Sequence, residues 1–190
     1  AVLEQNTTGF SNTGMGIGTL TYNTTGYRNT AIGGGGLQNN TTGIENTAMG
    51  YYALRENKTA NFNVAVGAYS LFVDSLGESN TAVGHLAGNA TTSGDNNVFI
   101  GKSAGSINTT GNNNLAIGFN SQIGSALVNA TAIGSNASAT TNNSFVLGGT
   151  GVNIGLDGST TGTTYQLYNG ATAVGASVPG STGSPINFGL

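Results

Sequence analysis

The sequence predicts an all-β fold, a parallel β-solenoid of about nine coils, and two observations support that prediction. The first is a period, because glycine returns every 17 residues and then at final steps of 16 and 14. The second is a composition of 33 glycines in 190 residues with 6% charged residues and no tryptophan, which cannot supply one thick core. Both favour a stack of thin, repeated layers. The glycine column is Gly16, Gly33, Gly50, Gly67, Gly84, Gly101, Gly118, Gly134 and Gly148.

The string "NTAIG" at residues 29–33, which recurs in each repeat, predicts a short β-strand. Its side chains alternate, so that Thr30 and Ile32 face one way while Asn29 and Ala31 face the other. The period of two and the β-branched residues are typical of a strand. The glycine that ends the string suits a positive φ or a close approach by a neighbouring coil.

The remainder of each repeat closes the coil. A second short strand is expected around "GGGLQ", with Leu37 turned inward. The string "NNTTG" predicts a turn, because Asn and Thr side chains satisfy local backbone groups and Gly43 can adopt a left-handed conformation. Two short strands and two turns make one 17-residue coil.

One asparagine recurs in every coil and predicts a structural ladder. Coils stacked at about 4.8 Å bring equivalent amides into hydrogen-bonding reach, which also holds the register. We interpret this column as scaffolding and not as a ligand site. Its members are Asn12, Asn29, Asn46, Asn63, Asn80, Asn97 and Asn114.

The apolar residue before each glycine is predicted to line the interior of the solenoid. This column includes Ile32, Met49, Val66, Val83, Ile100 and Ile117. The small residues of the opposite strand face are interpreted as a subunit contact. That row is Ala31, Ala48, Ala65, Ala82 and Ala116, interrupted by Phe99. Because such a core is thin, we expect partner copies to complete it, most economically around a three-fold axis.

Charge and apolar patterning argue against two classes of partner. A net charge of −3 has the wrong sign for nucleic-acid binding. Membrane insertion is not expected, because no stretch approaches the roughly 20 consecutive apolar residues of a membrane span. The absence of cysteine excludes disulfides and thiolate metal sites.

Catalysis is not expected, and no cofactor or metal site is predicted. The single histidine, His85, occupies a slot that holds Tyr51 and Lys102 in other coils, so it is interpreted as a variable outward position. The acidic residues are interpreted as sharing no ladder, which gives no support to a paired-carboxylate site.

Aromatic residues in the variable positions after the glycine are candidate surface contacts. Aromatic rings beside small polar groups suit sugar or protein surfaces, and some could instead fill gaps between subunits. Tyr51, Tyr69 and His85 fall on neighbouring coils and predict a surface stripe. The full candidate set is Tyr51, Tyr52, Tyr69, Phe72, His85, Phe119, Tyr165 and Tyr168.

Strings such as "NTAIGGGGL", "NTAMGYYAL" and "NVAVGAYSL" resemble the YadA-like head repeats of trimeric autotransporter adhesins. Similar repeats occur in phage-type trimeric tail fibres. The resemblance covers roughly residues 5–150 and implies a left-handed β-roll, a homotrimer and an adhesive, extracellular role on a bacterial cell surface or a virion. The family repeat is commonly 14 to 15 residues, so a 17-residue repeat implies a longer outward loop.

The recurring glycines stop near residue 149, which predicts a repeat domain at 1–149 and a C-terminal segment at 150–190. That segment is either a cap or connector, or a tip that touches a receptor. The expected function is a fibre head that attaches to a host-surface glycan or protein receptor. The alternative is a rigid spacer. An ice-binding solenoid ranks lower, because Val64 and Val98 interrupt the threonine columns.

Overall fold

The computed structural model describes residues 2–148 and, beyond them, the backbone of residues 155–156, 164–169, 172–179 and 186–187. The chain divides into two compact units, Ala1–Thr150 and Gly151–Leu190. The first unit is an all-β parallel solenoid, as predicted, with about eight turns where about nine coils were expected, and the described residues contain no helix. None of them therefore forms a helix that could cross a membrane.

Nine three-residue strands, one from each successive coil, stack into a single parallel sheet. Equivalent repeat residues pair directly across the sheet, as Thr30 does with Thr47 and Ile32 with Met49. Two further strands, β8 and β10, pair in parallel on the two shortened coils. The strands are β1 (Thr13–Met15), β2 (Thr30–Ile32), β3 (Thr47–Met49), β4 (Val64–Val66), β5 (Thr81–Val83), β6 (Val98–Ile100), β7 (Leu115–Ile117), β8 (Gln122–Ile123), β9 (Thr131–Ile133), β10 (Ser138–Ala139) and β11 (Phe145–Leu147).

The second strand predicted around "GGGLQ" is wrong, because consecutive turns occupy that part of the coil. Leu37 is nevertheless fully buried, as expected, and it turns inward from a left-handed backbone with φ of 48°. The equivalent leucines of three other coils share this conformation. They are Leu20, Leu54 and Leu71.

The two faces of the strand are the reverse of the prediction. The alanine row lies inside, where Ala31 and Ala48 are fully buried, and it makes no outward surface. The column before the glycine lies outside, so that Met49 is 41% exposed and Ile100 is 39% exposed. The reason is the width of the coil, since a leucine reaches across from the opposite wall and leaves room for only a methyl group. The core is made of Leu20, Ala31, Leu37, Ala48, Ala53, Leu54, Ala65, Leu71, Ala82, Ala87, Phe99, Ala104, Ala116, Ile123, Ala130, Ala132, Ala137 and Ala139.

Phe99 replaces alanine in the buried row where the leucine column lapses to glycine. A methyl group added at Gly88 would come within 2.5 Å of the Phe99 ring, and one added at Gly105 within 2.1 Å. The phenyl ring therefore fills the volume that two missing leucines leave empty. One large side chain thus compensates for small residues in two neighbouring coils.

Glycine is required for different reasons at the end of the strand, as at Gly33, and at the end of the "NNTTG" turn, as at Gly43. Gly33 has a φ of 114°, as predicted, and a Cβ there would lie 2.8 Å from the carbonyl carbon of Gly50. The prediction of a left-handed Gly43 is wrong, because its φ is not positive. Gly43 is needed for space, since a Cβ would meet Asn40 Oδ1 at 2.4 Å and the Ala60 carbonyl oxygen at 2.5 Å. The left-handed residue of this corner is Glu45, with φ of 55°.

The asparagine ladder is buried, and its bonds run mainly from side chain to backbone. Asn63 Oδ1 accepts the Asn80 backbone N–H at 2.8 Å, and Asn63 Nδ2 donates to the Gly77 carbonyl at 2.7 Å. Each side chain thus joins two coils and satisfies a donor and an acceptor inside the core. Direct amide-to-amide bonds occur as well, from Asn46 Nδ2 to Asn29 Oδ1 at 3.2 Å for example.

A second buried asparagine ladder runs beside the "NNTTG" turn. Asn40 Nδ2 donates to Asn23 Oδ1 at 2.7 Å, and Asn57 Nδ2 donates to Asn40 Oδ1 at 2.8 Å. This column has the same 17-residue period as the first, and the sequence reasoning treated its members only as turn residues.

The second unit is described by its backbone alone. Within it β13 (Thr164–Asn169) pairs antiparallel with β14 (Thr172–Pro179), with a register shift between Tyr165 and Leu167. β12 (Gly155–Leu156) pairs antiparallel with β15 (Ile186–Asn187).

Candidate functional site

Five of the predicted contact residues lie together on the solenoid surface. We call them the aromatic cluster, and they come from three successive coils. Tyr51 and Tyr52 have ring centroids 3.9 Å apart, and Tyr69 packs edge-on against Tyr51 at 5.6 Å. Phe72 lies 5.5 Å from Tyr69, and His85 lies 6.5 Å from it. The cluster forms because positions 17 residues apart, or nearly so, stack on neighbouring coils.

A polar network borders the aromatic cluster. Arg55 lies over the Tyr52 ring at 4.9 Å, and its Nε donates to Gln38 Oε1 at 2.9 Å. The guanidinium also pairs with Glu56 Oε1 at 2.8 Å, and Glu56 Oε2 accepts Asn39 Nδ2 at 2.7 Å. Sequence reasoning missed these polar residues, although Gln38 and Arg55 share one 17-residue column with Phe72.

An open depression of about 480 Å³, which we call the tyrosine notch, lies at one end of this cluster. Its walls are Ile17 on one coil and the Tyr51–Tyr52 pair two coils further on. Gly34 and Gly35 form the floor between them. The neighbouring coils carry Ile17 and Tyr51 at the first of these positions, and Gly18 and Tyr52 at the second. The residues lining the notch are Ile17, Gly18, Gly34, Gly35, Gln38, Tyr51 and Tyr52.

Three predicted contact residues do not join the aromatic cluster. Phe119 is 52% exposed and lies on a later coil, where the Lys102 ammonium sits 5.9 Å from its ring. Tyr165 and Tyr168 belong to β13, and their side chains fall outside the described residues. A second aromatic pair that the sequence reasoning did not select is Phe10 and Tyr27, which stack at 4.8 Å.

The Tyr51 phenol has a pKa above its ordinary value. Hydrogen bonding to the Tyr52 phenol, partial desolvation and the neighbouring phenols raise the pKa of Tyr51, and the positive charge of Arg55 opposes the shift. The Tyr51 hydroxyl is therefore an uncharged hydrogen-bonding group of the aromatic cluster at ordinary pH.

A continuous apolar stripe, which we call the apolar ladder, runs along the outer face of the nine-stranded sheet. Its nine rungs at about 4.8 Å extend over roughly 38 Å. An exposed contiguous apolar surface of this length is typical of an interaction site. Its members are Met15, Ile32, Met49, Val66, Val83, Ile100, Ile117, Ile133 and Leu147.

Glu78 and Asp95 occupy equivalent positions in adjacent coils, so the interpretation that no acidic residues share a ladder is wrong. Asp95 Oδ1 accepts the Glu78 backbone N–H at 2.8 Å, and Glu78 Oε1 accepts Asn61 Nδ2 at 2.7 Å. Both carboxylates thus serve coil-to-coil bonds. Across the part of the chain that the structure describes, no group of three or more His, Asp or Glu side chains could hold a metal ion.

Asp74 interrupts the second asparagine ladder with a buried carboxyl group. Desolvation raises its pKa well above the ordinary value, while hydrogen bonds from the Gly77 N–H and Asn80 Nδ2 oppose the shift only in part. Asn57, the equivalent residue of the preceding coil, is also affected, because its Oδ1 has no hydrogen-bond partner among the described residues. In the rungs of Asn23 and Asn40 the side-chain oxygen accepts an amide N–H from the next asparagine, and an ionised Asp74 offers no such donor.

Replacing Asp74 with asparagine is expected to stabilise the fold at neutral pH. Because the folded pKa is raised above the unfolded value of about 3.9, the folded chain binds more protons, so stability falls as the pH rises from that value through the folded pKa. Asp74→Asn removes that loss and supplies the donor that Asn57 lacks, a gain of about 1–3 kcal/mol. Urea unfolding between pH 4 and 8 measures it. An unchanged pH slope in Asp74→Asn would contradict the prediction.

No protein-family model, curated protein or solved structure matches the chain.

Proposed function

We propose that this chain is the attachment region of an extracellular, homotrimeric fibre that binds a host or cell surface. The observation that carries the proposal is one rigid solenoid with two separate exposed surfaces, the apolar ladder and the aromatic cluster. An apolar stripe along the fold suits self-assembly, and a clustered aromatic surface suits recognition. The resemblance to adhesin head repeats and tail-fibre repeats points to the same role and to a bacterial cell surface or a virion.

The apolar ladder supports assembly from identical chains. It repeats at the coil spacing, so a second copy of the solenoid, with the same spacing, can match it rung for rung. Each coil buries only a leucine and several alanines within the chain, which is little apolar area for its length. Burying the ladder between three copies adds the apolar contact that the narrow core lacks.

The chain is expected to have a mass in solution of three times 18.8 kDa. Val83→Glu and Met49→Glu place charges on the apolar ladder and should convert the trimer to monomer, because an unpaired buried charge is costly at an interface. Light scattering after gel filtration measures the mass. Leu76→Glu is the matched control, since Leu76 is 61% exposed and lies off the ladder, so it should leave the mass unchanged. A monomeric wild-type chain would contradict the assembly.

The attachment function is tested by binding of the full chain to a panel of bacterial and animal cells. Saturable binding supports a surface-binding fibre, and absence of binding to every cell type favours the second candidate, a rigid spacer. That alternative is supported by the regular coil-to-coil bonding, which makes the solenoid stiff along its length.

Deleting residues 150–190 then distinguishes the coil surface from the C-terminal segment as the region that contacts the receptor. Loss of binding assigns the contact to the C-terminal segment, and retention assigns it to the coil surface.

A further inference from the structure

The tyrosine notch combines an aromatic wall with a floor that has no side chains. The first floor position is Gly34 here but Ile17 and Tyr51 in the neighbouring coils, and the second is Gly35 here, Gly18 in the preceding coil and Tyr52 in the next. A Cβ on Gly35 would come within 2.3 Å of the Tyr52 ring, and one on Gly34 within 3.3 Å of the Tyr51 ring. The glycines therefore let the two rings lean over the coil and leave a gap that is open to solvent.

Polar groups reach the edge of the same gap. Gln38 lines it, and its Oε1 is occupied by Arg55 while its Nε2 donates to no acceptor among the described residues. Arg55, which bonds this glutamine from outside the notch, pairs with the Glu56 carboxylate, so the polar groups next to Gln38 carry no net charge. The volume of about 480 Å³ lies within the range of roughly 300–1,000 Å³ that small-molecule sites occupy.

We propose that the tyrosine notch binds a pyranose unit of a neutral surface glycan. A sugar ring has an apolar C–H face, which suits the exposed Tyr51 ring, and a hydroxyl edge, which suits the Gln38 amide and the Arg55–Glu56 pair. A ligand with a net negative charge is disfavoured, because the Arg55 guanidinium that bonds Gln38 is already paired with a carboxylate. This inference rests on the proposed attachment function and names the ligand class of its coil surface.

Two variants remove different features of the notch. Tyr51→Ala takes away the aromatic wall, and Gly34→Ile fills the floor with the side chain that Ile17 places in the same column. That column also holds His85 and Phe119 in later coils, so the fold accepts large residues there. Phe119→Ala is the matched control, because it removes an exposed ring of the same column far from the notch.

Binding is measured with the full-length chain on an array of immobilised neutral oligosaccharides that end in glucose, galactose, mannose or N-acetylhexosamine, with sialylated and sulfated counterparts. We expect the wild type and Phe119→Ala to bind at least one neutral glycan, and Tyr51→Ala and Gly34→Ile to bind it at least tenfold more weakly. Thermal melting and the mass in solution should match the wild type for all three variants.

Attachment to cells, measured in parallel, separates this proposal from the broader one. Cell binding that both notch variants retain overturns the notch as a glycan site and leaves the attachment function standing. Absence of cell binding by the wild type overturns the attachment function itself. Binding restricted to acidic glycans, or a change of oligomeric mass in Tyr51→Ala, also overturns the proposal, the latter because the notch would then be a subunit contact.

Discussion

Replacing Phe99 with alanine is expected to lower the free energy of unfolding by about 3–5 kcal/mol. The side chain is fully buried, and it fills the space of two absent leucines. The alanine present at this position in other coils does not help here, since the opposite wall carries Gly88 and Gly105 in place of leucine. The variant would contain a cavity, and the surrounding coils are held by backbone bonds that limit collapse. Chemical denaturation followed by circular dichroism measures the loss.

The matched variant restores the composition of an ordinary coil. Gly88 has a φ of 57°, close to the 48° at which Leu37 is accommodated, so leucine is compatible with its backbone. Gly88→Leu alone should destabilise the chain, because its Cβ would lie 2.5 Å from the Phe99 ring. Combined with Phe99→Ala it should recover at least half of the lost stability, which a double-mutant cycle resolves. A double variant no more stable than Phe99→Ala would show that the two columns do not share one space.

Replacing Asn63 with alanine is expected to cost about 2–6 kcal/mol. The substitution leaves the Asn80 N–H and the Gly77 carbonyl without their side-chain partners, and each unsatisfied buried group costs about 1–3 kcal/mol. The effect is large for an uncharged polar residue because both bonds join separate coils inside the core. Urea unfolding measures it, with hydrogen exchange of the Asn80 amide as a local readout.

Asn39→Ala provides the matched control for Asn63→Ala. Its side chain is half-buried and donates only to the Glu56 carboxylate, so the expected loss is about 0.5 kcal/mol or less. Equal losses in the two variants would mean that burial and coil-to-coil bonding do not account for the importance of the ladder.

The period of the sequence was sufficient to predict the solenoid, the strand in each coil and the register. Seventeen-residue spacing aligns Asn29 with Asn46, and stacking at the strand distance then leaves little freedom in how the coils pair. These features depend on which residues recur, and recurrence is visible in one chain without any structure.

Alternation along the strand could not show which face is inside. It separates Ala31 from Ile32, but the larger residue was assumed to be buried, and the narrow coil admits only the smaller one. One signal in the sequence could have decided the matter. Phenylalanine enters the alanine row at Phe99 where leucine is lost at residues 88 and 105, and such compensation occurs between residues that pack together.

The candidate site was predicted in part. Residues on neighbouring coils could be placed together by counting, which brought Tyr51, Tyr69 and His85 into one cluster. The depth of the tyrosine notch could not be predicted in this way, since it depends on how far the Tyr52 ring leans over Gly35. That geometry follows from side-chain packing, which the period does not encode.

The direct pairing of equivalent residues 17 positions apart has a consequence for how such a chain can evolve. Removing or duplicating one whole repeat among the coils with a leucine–alanine core keeps the strand pairing and the apolar ladder in register. Recombination between similar gene segments can therefore change the reach of the molecule in increments of about 4.8 Å. The length of the solenoid can therefore change while its core and its contact surface keep the same kinds of residues.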